Sequence, residues 1–130
     1  MKKFVCILLV FIQMVCIACS AFAQEVVPCA DEVFSDAYIN LTSSKAASYT
    51  AMTFNSCGTI KVTSSSLQKK INGTWVTIAN ISVAGEGSDT YSCTLRADCS
   101  SHISSGTYRV VGTFSADGYC ITRTSNERTY

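Results

Sequence analysis

Histidine is almost missing from this chain: His102 is the only one in 130 residues. A metal site built on two imidazoles is therefore excluded, and one base is left for any hydrolytic arrangement. Charge is sparse too, at 15% of residues, and nearly balanced, with 10 basic against 9 acidic side chains. No basic patch answers a phosphate backbone, so nucleic acid is not an expected partner. No amphipathic basic stretch suits a membrane surface. Nothing after residue 24 sustains a helical period with a cap at each end, and no internal repeat shows. The single proline, Pro28, lies near the start.

What the chain has first is an apolar run. Lys2 and Lys3 precede Phe4 to Ile17, in which Gln13 is the only clearly polar residue, and Ala21-Phe22-Ala23 follows. A charged tip, an apolar middle and small residues at −3 and −1 are the parts of a secretory signal peptide, helical and cleaved after Ala23. The run is short for a membrane-spanning helix. An uncleaved anchor and lipidation at Cys19 are the alternative fates, the second with Cys16 where a lipobox prefers leucine. The expected division is a signal peptide at 1–23, a flexible lead-in at 24–35 and one domain at 36–130. Membrane contact is expected only through the signal before cleavage. Loss of Lys2 and Lys3 would turn the formal +1 of the whole chain into −1.

Three of the eight cysteines (Cys6, Cys16, Cys19) would leave with the signal. Cys29, Cys57, Cys93, Cys99 and Cys120 would stay. Export places them in an oxidising compartment, where disulfides are the ordinary outcome. Five is odd, and sequence does not choose among the pairings. Cys93 with Cys99 and Cys57 with Cys120 are the candidate bonds, and Cys29, in the lead-in, is the candidate left unpaired.

From Ser35 onward Ser, Thr, Tyr, Val and Ile dominate, in short runs separated by Gly, Asn, Asp or Ser. That texture is strand and turn. Expected strands are Tyr38–Thr42, Ser48–Phe54, Thr59–Thr63, Leu67–Ile71, Thr74–Ile81, Thr90–Ala97, Thr107–Phe114 and Tyr119–Thr124. Their spacing suggests an all-β sandwich or small barrel. Asn72-Gly73 predicts a two-residue type I′ hairpin. It would pair Ile71 with Thr74, Lys70 with Trp75, Lys69 with Val76 and Leu67 with Ile78. One face, taken as the core face, would carry Leu67, Ile71, Val76 and Ile78. Trp75 would fall on the wetter face beside Lys70, within reach of a cation–π contact. In Thr107–Phe114, Tyr108, Val110, Gly112 and Phe114 share a face opposite Arg109, Val111 and Thr113, which predicts a central strand.

Few residues invite chemistry. His102 follows Ser100 and Ser101, with Asp98 near, but sequence neighbours in a loop rarely converge as a triad, and no nucleophile elbow exists. Cys93, Cys99 and His102 supply too few ligands for zinc. Gly85-Glu86-Gly87-Ser88-Asp89 lacks the EF-hand pattern and reads as a turn. No catalytic, cofactor-binding or metal-binding residue is expected, and no cofactor. Asn40, Asn72 and Asn80 match the N-glycosylation pattern, which arises easily in a Ser/Thr-rich chain. Trp75 is the candidate binding surface, since aromatic anchors are enriched there.

Ser105-Gly106-Thr107-Tyr108-Arg109-Val110-Val111-Gly112-Thr113-Phe114 resembles the penultimate strand of immunoglobulin-like and fibronectin type III-like sandwiches, with Tyr108 where such folds often place a structural tyrosine. Leu67 to Thr77 looks like a segment of small secreted sandwich proteins of Gram-positive bacteria. The antibody-type cysteine two residues after the tyrosine is replaced by Val110. The resemblance implies an immunoglobulin-like antiparallel β-sandwich and carries no catalytic residue. The expected function is that of a secreted, non-enzymatic module acting by extracellular binding or as structure, with a protein or glycan partner. A secreted effector (inhibitor, toxin or antimicrobial factor) is the alternative.

Overall fold

The computed structural model describes residues 32–130. The signal peptide, most of the lead-in and Cys29 lie outside the described residues. The described chain is antiparallel β-structure: β1 (Phe34–Leu41), β2 (Ala46–Ile71), β3 (Thr74–Asn80), β4 (Gly87–Asp98), β5 (Thr107–Ala116), β6 (Tyr119–Thr124) and β7 (Arg128–Thr129). A 3₁₀ turn at Ser100–His102 separates β4 from β5. No helix among the described residues is long and apolar enough to cross a membrane. β1 starts at Phe34, a buried core residue.

One strand organises the sheet. The three runs expected at Ser48–Phe54, Thr59–Thr63 and Leu67–Ile71 are a single 26-residue strand, β2. Its first half is flanked by β1 and β4, its second half by β5 and β3. Near Ile60 the two sets meet, since Ile60 pairs with Gly87 of β4 and with Ala116 of β5. The residues that read as breaks are irregularities inside the strand. The β2–β4 register shifts between Met52 and Cys57, the β2–β5 register between Val62 and Ser64, and the β2–β3 register between Leu67 and Gln68. Bulges bend a strand and increase its twist. Here they curl one sheet into two arms, β1–β2–β4 and β3–β2–β5–β6, around a shared core.

Gly58 lies inside β2, between the runs expected at Ser48–Phe54 and Thr59–Thr63. It keeps an ordinary φ, and the Asp117 carboxylate fixes it from outside. The Gly58 N–H donates to Oδ2 at 3.0 Å and the Thr59 N–H to Oδ1 at 2.8 Å. Asp117 can reach because it leads the β5–β6 turn, where Asp117 (φ 48°) and Gly118 (φ 89°) adopt the left-handed conformations of a tight hairpin.

The core lies between the arms. Tyr49, Tyr108, Phe114, Leu41, Ile60, Leu67, Val110 and Cys99 are its largest fully buried side chains. Tyr49 packs edge-on against Phe114 and shares a 2.7 Å hydrogen bond between its hydroxyl and that of Ser65. β1 crosses over β5 at Gly112: a Cβ there would sit 2.9 Å from Ile39 Cδ1 and 3.3 Å from Tyr49 Cε1. β5 is central as expected, paired with β2 on one side and with β6 and β7 on the other.

The Asn72-Gly73 turn forms, with both residues at positive φ, and Ile71–Thr74, Lys70–Trp75 and Lys69–Val76 pair as expected. Two details differ. Leu67 pairs with Ala79 rather than Ile78, because Ile78 is the extra residue of a bulge. The supposed core face is largely outside: Ile71, Val76 and Ile78 are 44%, 41% and 39% exposed, and only Leu67 is buried. β3 pairs with β2 alone, so the hairpin tip overhangs the second arm, and among the described residues nothing covers its apolar side.

Candidate functional site

The residues that fit recognition meet on the outer face of the β3–β2–β5 arm. Register sets them in rows. Trp75 is beside Lys70; Thr77, Gln68 and Arg109 form the next row; Ser66, Val111 and Thr124 the row after. The Lys70 Nζ lies 5.3 Å from the centre of the Trp75 ring, as the hairpin register implied. Arg109 Cζ lies closer, at 4.3 Å. Each contact stabilises by about 0.5–1 kcal/mol at an exposed site. Arg109 is itself held: its Nε donates to Gln68 Oε1 at 2.7 Å, and Gln68 Nε2 donates to Thr77 Oγ1 at 3.4 Å. Lys70 pairs with Glu127 at 3.7 Å, the only ion pair among the described residues. Hydroxyls continue the face, with Thr113 bonded to Thr122 at 2.8 Å and Thr107 to Thr129 at 2.9 Å.

Arg109 is the member that sequence reading did not attach to Trp75. Alternation did put it on the outer face of its strand. Its neighbour could be found only from the β2–β5 register, which joins residues some forty positions apart and is shifted by the irregularity at Val62–Ser64.

The cysteine expectations need correction. Cys57, Cys93, Cys99 and Cys120 are all unbonded. Cys93 points inward from β4 and Cys99 follows the end of the same strand. Six residues of extended chain separate their Cα atoms by roughly 20 Å, against the roughly 4.4–6.8 Å a disulfide needs. Cys120 lies in the row of Ser115 and Lys61, two strands across and four residues along from Cys57. That is roughly 16 Å in strand geometry. Burial pushes the Cys99 and Cys93 thiols above their ordinary range.

His102 sits exposed at the end of the 3₁₀ turn. Asp98 is committed to Ser100 instead: Oδ1 accepts its N–H and Oδ2 its hydroxyl, both at 2.9 Å, and these bonds hold the carboxyl below its usual range. Among the described residues, no three His, Cys, Asp or Glu side chains gather as for a metal ion. Tyr108 is buried and its hydroxyl accepts from the Ser104 N–H four residues upstream at 3.2 Å. Burial alone would raise that phenol, but the bonds from Ser104 and the Lys69 ammonium outweigh it and leave it lowered.

The chain matches no protein-family model and no curated protein.

Proposed function

We propose that this chain is a secreted, non-enzymatic module of the immunoglobulin-like β-sandwich kind, and that it works by binding an extracellular protein or glycan on the outer face of its β3–β2–β5 arm. The observation that carries the reading is Trp75, a half-buried indole on a solvent-facing sheet, flanked by Arg109 at 4.3 Å and Lys70 at 5.3 Å. Large rigid aromatics beside arginine are the residues that dominate recognition surfaces. A core role would not place the ring among cations on the outside of the sheet. The sandwich reading is supported by the two arms that enclose one core, and by Tyr108, whose hydroxyl is tied back to Ser104 as the corner tyrosine of sandwich domains is tied to upstream backbone.

The test is capture of glycans and extracellular proteins by the immobilised chain, with Trp75→Ala alongside. Loss of capture by a variant that still unfolds cooperatively, its melting temperature lowered only by the several degrees the two cation–π contacts are worth, supports the reading. Capture that ignores the substitution refutes it.

A further inference from the structure

We infer that the Trp75 face recognises a carboxylate-bearing saccharide, a chain of uronic acids, with Arg109 as its carboxylate receptor. This rests on the outer face being the binding surface and adds the chemistry of the ligand. Arg109 has the features of a preorganised receptor. Its Cζ lies 4.3 Å from the indole centre and its Nε is held by Gln68 at 2.7 Å, so little side-chain freedom remains to be lost on binding. Its terminal nitrogens donate to no protein group among the described residues, and no carboxylate there pairs with it. A guanidinium fixed through Nε, with both NH2 groups unclaimed, matches the two oxygens of a carboxylate. Lys70 differs, because Glu127 already neutralises part of its charge. The cation left over is thus Arg109.

The surroundings favour a sugar over a peptide. An extended peptide would add to the open edge of β3, but the bulge at Ile78 interrupts the backbone pattern that strand addition needs. Contact is left to the face. That face offers an indole for the apolar side of a pyranose ring, and the amide of Gln68 and hydroxyls of Thr77, Thr113 and Thr122 for its hydroxyl groups.

The experiment measures binding of the full chain to hexasaccharides of galacturonate, alginate and hyaluronan by calorimetry. The methyl ester of the binding oligosaccharide serves as its neutral counterpart, and hexaglutamate is the peptide control. The expected result is that at least one free acid binds and that esterification weakens it roughly ten- to a hundredfold, the range for a charged hydrogen-bonding group. Arg109→Gln should erase the difference between acid and ester. Arg109→Lys should restore part of it, and both variants should still unfold cooperatively, with melting temperatures lowered only by the several degrees that the lost Trp75 contact and Gln68 bond are worth. Equal binding of acid and ester, a preference that survives Arg109→Gln, binding of hexaglutamate alone, or binding of none of the probes overturns the inference. Capture of a neutral saccharide or a protein that needs Trp75 but not Arg109 overturns it while leaving the broader binding reading intact. If Trp75→Ala changes no binding, that broader reading falls as well.

Discussion

Gly112→Ala tests the way the two arms of the sheet are packed. Gly112 is buried on β5 with an ordinary backbone, so no conformational strain accompanies a side chain. Space is what is missing. The new methyl would stand 2.9 Å from Ile39 Cδ1 and 3.3 Å from Tyr49 Cε1. Ile39 can yield by turning its terminal methyl. Tyr49 cannot easily, because its hydroxyl is bonded to Ser65 and its ring is packed on Phe114. Overpacking of this kind costs about 1–3 kcal/mol. Loss of glycine's freedom in the unfolded chain returns about 0.4–1 kcal/mol. Taken at the middle of each range, the net expectation is destabilisation by roughly 1.3 kcal/mol, or several degrees in Tm. Ile39→Val removes the nearest clashing atom and alone costs about 0.5–1.5 kcal/mol. In the double variant the two costs should fall short of their sum by roughly 0.5 kcal/mol or more, since the side chains touch. Urea titration followed by Trp75 fluorescence and by circular dichroism gives all four stabilities. A neutral or stabilising Gly112→Ala, with strict additivity to Ile39→Val, would mean that β1 does not lie over β5 and that the arms do not enclose this core.

Tyr49→Phe should destabilise by about 1–2 kcal/mol, because it leaves the Ser65 hydroxyl without its buried partner; double-mutant urea titrations with Ser65→Ala should show less than additive loss. Burial, opposed in part by the Ser65 bond, pushes the Tyr49 phenol up to about 12. Stability from the neutral phenol is complete below the unfolded value near 10 and is lost as pH rises through about 12, by roughly 2–3 kcal/mol. Alkaline melts of Tyr49→Phe should therefore fall less steeply across that window than those of the parent; parallel curves refute the assignment. Asp117→Ala removes the acceptor of two backbone N–H groups and puts alanine at φ 48°, so a loss of about 1–3 kcal/mol is expected in thermal melts, and a smaller one for Asp117→Asn. In the native protein under reducing conditions, a thiol reagent should modify exposed Cys120 quickly and buried Cys57 and Cys99 only after unfolding. Equal rates for Cys99 and Cys120 by peptide mapping would contradict the burial of Cys99.

Local features were legible in the sequence to the extent that local chemistry decides them. Asn72-Gly73 tolerates the positive φ of a two-residue turn, and it forms the turn it encodes. The alternation of Thr107–Phe114 places Tyr108, Val110 and Phe114 in the core because a strand has only two faces. Continuity of β2 was not legible, since Asn55-Ser56 and Ser64-Ser65-Ser66 have the composition of turns. Ser64-Ser65-Ser66 are held extended by the ladder with β5, while Asn55-Ser56 fall in the break of the β2–β4 register, bracketed by the paired Met52 and Cys57 and by the Asp117 carboxylate on Gly58 and Thr59. The hairpin failed in the opposite sense. Its alternation correctly separated Trp75 from Val76, but periodicity cannot say whether a second layer lies opposite a face. Cys93 and Cys99 stay apart because closeness in sequence along a strand is distance in space, and Cys57 and Cys120 because the β2–β5–β6 register sets Cys120 in the row of Lys61.

The edges of the sheet bear on where the proposed recognition would fall. Among the described residues no strand pairs with the outer edge of β1, the sort of edge that recruits other strands. Here side chains from the end of the chain occupy it. Arg123 Nε donates to Ala37 O at 3.1 Å, and Arg128 Nε donates to Leu41 O at 2.8 Å. Asn126 takes the Leu41 N–H at 2.8 Å and donates to its carbonyl at 3.2 Å. The curl therefore brings β1 and β6 together without a ladder, through side chains that use up backbone groups on the way. β3 is guarded by its bulge at Ile78, and β4 is distorted by Asp89 at φ 49°. A fold that blunts three edges in three different ways disfavours recognition by strand addition. What it holds rigid and accessible is a sheet face, and on that face the one aromatic anchor with cations beside it is Trp75.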